Sequence, residues 1–214
     1  SLLDCDLYKY SMSQVYLHQL PTASARFDFK CRNHGINLSS HYDEIKREIQ
    51  ALADLRFSQS ELAYLSELPF MKPDFIEFLR GFQLRPEYVK ITKHPFSIAI
   101  EGPVIQASMC EIFILAIVNE VYFRMIEPNP DYVGAMFLLD NKIKLVKANG
   151  DKIRFSEFGT RRRRSKHWQR RVLDRLKTRL PDWNLVGTSN VMYAQEFGLR
   201  PIGTVAHEFL CAAQ

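Results

Sequence analysis

Three times in the last quarter of this chain an apolar run ends in Gly-Thr: at Gly159-Thr160, Gly187-Thr188 and Gly203-Thr204. Before the first, Ile153 and Phe155 alternate with polar neighbours as a strand does, and from about Arg163 the residues Trp168, Val172, Leu173, Leu176 and Leu180 recur at helical spacing. Before the second stands Leu185-Val186. A short helix to Phe197 follows, closed by Gly198 with Pro201 beyond. Pro201-Ile202 then leads into the third. Successive strand-turn-helix units imply a parallel sheet, and in barrels of that kind the residues just past each strand face one ligand site. Phe158, Arg161, Ser189 and His207 are therefore expected to share a pocket. The run Arg161 to Arg164 lies where a strand ends and a helix begins, a place suited to phosphate.

The basic character of the chain is local. Formal net charge is +5, but residues 161–179 hold ten Lys or Arg and one acid, leaving 19 bases against 23 acids elsewhere, a balance of −4. That weighs against a general nucleic-acid coat. Cys5, Cys31, Cys110 and Cys211 are scattered, without Cys-x-x-Cys or metal-ligand spacing, which fits a reducing, cytoplasmic setting. The longest unbroken apolar run, Ile112 to Val118, falls far short of the roughly 20 residues of a membrane span, and no secretory signal is visible at Ser1-Leu2-Leu3-Asp4. A start without Met and a stop directly after a candidate site suggest a chain incomplete at both ends.

The first half reads as mixed α+β. A helix is expected from Asp6 to about Leu20, ended by Pro21, then a half-exposed strand from Arg26 to Arg32. Residues 43–56 place Ile45, Ile49, Leu52 and Leu55 on one stripe; Ser58-x-x-Glu61 is a capping box before another helix, and a third follows Pro73. Residues 89–92 and 96–101 read as strands, Gly102-Pro103 as a turn, and 104–109 as a further strand. Residues 111–124 read as a buried helix with Glu111, Asn119 and Glu120 as its polar exceptions. Glu127-Pro128-Asn129-Pro130 is the best linker candidate, dividing the chain into an N-terminal α+β domain (1–126) and the start of an α/β domain (127–214).

Asp6-x-Tyr8-Lys9, Glu-Phe-Gly-Thr-Arg-Arg-Arg from Glu157 to Arg163, Gly187-Thr188-Ser189-Asn190 and Gly203-Thr204-Val205-Ala206-His207-Glu208 together resemble, in order and spacing, the motif series of nicotinate phosphoribosyltransferases. The resemblance spans nearly the whole chain but only about the first half of a usual family member. It implies an N-terminal α+β domain followed by a partial, irregular α/β (TIM-like) barrel. It also implies transfer of phosphoribose from phosphoribosyl pyrophosphate to nicotinate in NAD salvage, with Mg²⁺ carried on the pyrophosphate, ATP as co-substrate and a homodimeric assembly.

By the same resemblance Phe158 would stack on the pyridine ring, and Arg161 would neutralise phosphate or the substrate carboxylate. Ser189, Asn190 and Thr204 would offer donors near that carboxylate. In nicotinamide-using relatives an acid stands after the second Gly-Thr, so Ser189 implies a preference for nicotinate. Tyr8 would complete the neighbouring subunit's pocket, and His207 would be the histidine that ATP phosphorylates. Plainer readings compete. His34, His41, His94 and His167 read as packed or solvated residues, and Arg163, Arg164, Arg170, Arg171 and Arg175 as a solvated helix face. A nucleic-acid-binding module using residues 163–179, or a truncated non-catalytic relative, are the alternatives from other classes.

Overall fold

The computed structural model describes residues 1–212. Its first half is built on three antiparallel strands in the order β1 (Ser24–Asp28), β3 (Ser97–Pro103), β2 (Val89–Thr92). Around them lie α1 (Leu7–Gln19), α2 (Tyr42–Gln50), α3 (Gln59–Ser66), α4 (Pro73–Arg80) and α5 (Val104–Ile126). Local chemistry starts several of these where expected. Ser58 and Glu61 form the full capping box of α3, and Pro73 opens α4 at a position where its missing N–H costs nothing.

α5 carries the fold. Residues 104, 105, 107–110, 112–114, 116, 118 and 121 are all buried in it, so the helix is apolar round most of its circumference. It is long and apolar enough to cross a membrane by length and composition, yet 67% of its most apolar window is buried within this protein, as in a core helix. Two expectations fail here. Gly102-Pro103 is not a turn but the end of β3, paired with Ala25 and Ser24, and the expected strand at 104–109 is the first turns of α5. A short apolar run rich in branched residues has no period that separates strand from buried helix. The strand expected over 26–32 is likewise shifted to Ser24–Asp28, although Phe29 still donates its N–H to Ile98 O at 2.9 Å.

The second half begins with α6 (Tyr132–Ala148), an element absent from the sequence reading, and continues as β4 (Phe155–Glu157), α7 (Lys166–Arg179), β5 (Leu185–Thr188), α8 (Val191–Phe197) and α9 (His207–Ala212). β4 and β5 pair in parallel, and Thr188 bridges Pro201 in parallel beyond them. At Gly187 the third segment comes so close that a Cβ would lie 2.1 Å from Arg200 O, so the backbone approach itself demands glycine. Gly198 closes α8 with φ +59°, the left-handed cap that glycine accepts freely.

The packing does not divide cleanly at residue 127. A large apolar cluster takes in α1 to α5 and the sheet but also Val191 of α8, with Ala206 and Phe209 packed against it. A smaller one gathers Ile143, Leu173, Leu176, Leu180, Leu185, Tyr193 and Leu199. The N-terminal segment is stitched to the second half by backbone bonds: Leu7 N donates to Ser189 O at 2.8 Å, Val191 N to Cys5 O at 3.0 Å and Met192 N to Leu3 O at 3.0 Å.

Candidate functional site

The first two Gly-Thr turns are held together by one carboxylate. Glu157, at the end of β4, accepts the N–H of Gly159 at 2.5 Å and the amide of Gln169 at 3.0 Å on one oxygen, and the hydroxyl of Thr188 at 2.7 Å on the other. A Cβ on Gly159 would sit 2.4 Å from that first oxygen, so a side chain there would displace the Glu157 carboxylate from this bond. Phe158 follows and is left 41% exposed, an aromatic face presented at the strand end. Thr160–Arg162 make one 3-10 turn, and α7 starts only at Lys166, capped by Ser165. Arg161, Arg162 and Arg163 thus precede the helix instead of lying on it.

The arginines have different fates. Arg163 is only 8% exposed in its side chain and grips Asp4 with two parallel bonds of 2.7 and 3.0 Å, while its Nε meets Glu120 at 2.7 Å. Burial alone would raise the Asp4 carboxyl, but the Arg163 hydrogen bonds and charge, helped by Lys166 and Asn190, bring it below its ordinary value. Arg163 is therefore a buried partner and not a solvated face. On α7, Arg170 pairs with Glu196, Arg175 with Asp140 and Lys177 with Asp182, while Arg171 lies over the Trp168 and Tyr132 rings. Cations spent on their own carboxylates make a poor contact for a phosphate backbone.

Arg161 stays available. Its side chain is 37% exposed and its one ion pair among the described residues, to Glu111, is long at 3.6 Å. It borders a cavity of about 620 Å³ between the β1–β3 face and α5, into which Lys30, Arg32 and Arg162 also open and whose apolar wall includes Phe27, Ile100 and Val118. Lys30 and Arg32, which sequence pattern marks only as the polar side of a strand, also line this cavity.

Two expected ligand donors have partners within the chain. Ser189 is fully buried and donates its hydroxyl to Asp6 Oδ1 at 2.7 Å, and Asn190, also fully buried, gives its amide to Asp4 at 2.8 Å and Thr160 at 3.2 Å. The Asn190 oxygen caps α8 by accepting the N–H of Tyr193. Buried acids need donors, and these two side chains are spent on them. Tyr8, expected to complete a neighbouring subunit's pocket, is 3% exposed within its own chain, its phenol pushed up by burial and by Asp6. Thr204 and His207 are exposed, His207 as the first residue of α9. The wall of this cavity contains Arg161 but not Phe158, Ser189 or His207.

Matches to known proteins agree with the motif order. The family model for the nicotinate phosphoribosyltransferase N-terminal domain matches residues 3–119, and the model of the nicotinate phosphoribosyltransferase family matches residues 153–214. The chain belongs to the nicotinate phosphoribosyltransferase family. It is 43% identical to the nicotinate phosphoribosyltransferase of Verminephrobacter eiseniae and 45% identical to that of Cupriavidus necator, in each case over 100% of this chain and 56% of the relative. The crystal structure of nicotinate phosphoribosyltransferase from Porphyromonas gingivalis superimposes with a TM-score of 0.90 at 35% identity, covering 97% of this chain and 54% of that one. The Vibrio cholerae structure gives 0.91 at 36%, covering 97% and 51%. The chain thus spans about half the length of the family members it matches.

Within that family likeness, α5 and the segment after the third turn are joined by a buried lysine to which sequence reasoning gave no role. Lys9 of α1, with no exposed side-chain surface, reaches Glu111 of α5 at 2.5 Å and Glu208 of α9 at 2.6 Å. Its place in the Asp6-x-Tyr8-Lys9 motif was the available signal. Among the described residues no three His, Cys, Asp or Glu converge as a metal site.

Proposed function

We propose that the whole protein transfers phosphoribose from phosphoribosyl pyrophosphate to nicotinate, in a reaction coupled to ATP hydrolysis and serving NAD salvage in the cytoplasm. The observation that carries this reading is the turn after β4, which leaves Phe158 exposed and Arg161 only loosely paired in a family member. The parallel pair β4–β5 and the bridge to Pro201 are read as the start of an irregular α/β barrel.

In the proposed reaction the pyridine nitrogen of nicotinate forms a bond to C1 of the ribose while the bond from C1 to the pyrophosphate oxygen breaks, the electron pair leaving with pyrophosphate. The positive charge that develops on the ribose ends on the pyridinium ring. Phe158 would hold the flat ring, and Arg161, with its planar fork of donors, would neutralise an anionic group of either substrate. Positioning and charge neutralisation supply most of the acceleration, because pyridine nitrogen is already nucleophilic. Mg²⁺ belongs to the reading as an ion that arrives on the pyrophosphate oxygens. His207, solvent-facing at the start of α9, is the proposed phosphoryl acceptor, since neutral imidazole is nucleophilic near physiological pH. A homodimer completes the reading, and a single-subunit mass in sedimentation of the full-length protein counts against it.

The test is incubation of full-length protein with nicotinate, phosphoribosyl pyrophosphate and Mg²⁺, followed by chromatography. Nicotinate mononucleotide is the expected product, and its absence removes the proposal.

A further inference from the structure

Lys9 is among the largest fully buried side chains of the chain, and a buried ammonium is tolerated only when it is paired. Here it is shared. Glu111 at 2.5 Å and Glu208 at 2.6 Å hold it from two sides, Ser108 Oγ lies 3.3 Å away, and the Tyr8 and Phe27 rings each have their centres 5.6 Å from it. Ser108 also donates to the same Glu208 oxygen at 2.7 Å. The other oxygen of Glu111 faces Arg161 at 3.6 Å, so the charges alternate in one file: Arg161, Glu111, Lys9, Glu208.

The two ends of that file differ. At one, Glu111 and Arg161 border the basic cavity. At the other, Glu208 ties down α9, a helix of only six residues whose other anchor is apolar: Phe209 lies against the core with its ring 6.3 Å from that of Tyr16. His207, next to Glu208, is exposed. So short a helix has little stability of its own and takes its position from its tertiary contacts. Burial pushes the Glu208 carboxyl up despite the Lys9 charge and hydrogen bond that oppose it. By linkage the stabilisation attached to a raised carboxyl pKa is present below the ordinary carboxylate range and lost as pH rises through the folded value.

We propose that Lys9 is a positioning residue that couples the anion-binding end of the site to His207, holding Glu111 back from Arg161 on one side and fixing α9 through Glu208 on the other. The proposal rests on the reading of His207 as the phosphoryl acceptor. It makes two separable demands. Without the tether at Glu208, α9 loses its register and His207 is phosphorylated poorly. Without Lys9, Glu111 has only Arg161 to pair with and withdraws it from the substrate anion.

Full-length protein, its Glu208→Ala, Glu208→Gln and Lys9→Met variants, and His207→Ala as the control are incubated with radiolabelled ATP, and acid-labile, base-stable phosphate is counted. Transfer without ATP is measured on the same preparations. Glu208→Ala is expected to lower labelling by about tenfold or more, the worth of one hydrogen bond to a charged group, while ATP-independent transfer stays within about twofold. Glu208→Gln, which keeps the acceptor oxygen, is expected to restore part of the labelling. Lys9→Met is expected to raise the KM for phosphoribosyl pyrophosphate more than it lowers kcat. Wild-type labelling that persists in His207→Ala removes the phosphoryl-acceptor reading and this inference with it. Labelling confined to His207 but undiminished in Glu208→Ala overturns this inference alone. So does a loss of labelling matched by an equal loss of ATP-independent transfer, which marks a damaged fold, and so does an unchanged KM in a folded Lys9→Met.

Discussion

Two buried ionic clusters stand close together in this chain, and they are built for different tasks. Around Asp4, one guanidinium satisfies both oxygens of a carboxylate and still reaches Glu120, and Asn190 and Lys166 approach the same acid. The Asp4 carboxyl ends below its ordinary value despite burial. Around Lys9, one ammonium is divided between two carboxylates, and the Glu208 carboxyl ends above its ordinary value. The first cluster is closed and locks the N-terminal segment to the turn after β4. The second is incompletely compensated and opens at both ends, towards Arg161 and towards His207. The planar fork of arginine suits a fixed lock, whereas a lysine acts as a point charge that can be shared.

The sharpest way to break this contrast is to remove the lock. Arg163→Met should leave Asp4 and Glu120 without their shared partner and cost about 3–5 kcal/mol, read as a shift of the urea midpoint of the full-length protein. A loss no larger than that of an exposed arginine would show that the cluster is solvated and the distinction empty.

Ser189→Asp comes next. The new carboxyl would stand beside buried Asp6, where one of the two must remain protonated, at a cost of about 2–3 kcal/mol in stability. Binding of nicotinate and nicotinamide should suffer alike, because the side chain at 189 faces Asp6. A selective loss of nicotinate would instead restore Ser189 to the ligand pocket.

Phe158→Ala probes the open side. With 41% of the residue exposed, its truncation should barely change stability but should raise the KM for nicotinate about tenfold, near the upper worth of an aromatic contact. Equal effects on stability and KM would make it a core residue.

The smallest signal lies in pH. Because the folded Asp4 carboxyl is lowered, its stabilisation is present above its unfolded value, about 3.9, and lost as pH falls through the folded one. Asp4→Asn should flatten the acid limb of the stability curve, whereas Glu208→Gln should not. An identical acid limb in both variants and the wild type would remove the electrostatic side of the comparison.

Most of the helices were legible because their signals are local: the capping box at Ser58, Pro73 opening α4, Gly198 closing α8. α6 was not, since Val133, Phe137, Leu138 and Leu145 are exposed and no clean apolar stripe marks it. The start of α5 was misread for a related reason: a helix buried round most of its circumference loses the clear polar face that would reveal its period.

The amino-acid order by itself determined the family, the three Gly-Thr turns and the candidates at Phe158, Arg161 and His207, because these depend on residue type and spacing along the chain. Tertiary structure decided which polar side chains remain free. Ser189, Asn190 and Arg163 look like ligand or surface groups in a motif and prove to be partners of the buried acids Asp6 and Asp4, nearly two hundred residues away in sequence for the first pair. Lys9 showed the converse, an ordinary helix lysine by pattern that burial turned into the junction of four charged groups. Whether a donor is available depends on which acceptors the fold has buried beside it, and that is a property of distances in space that no spacing along the chain encodes.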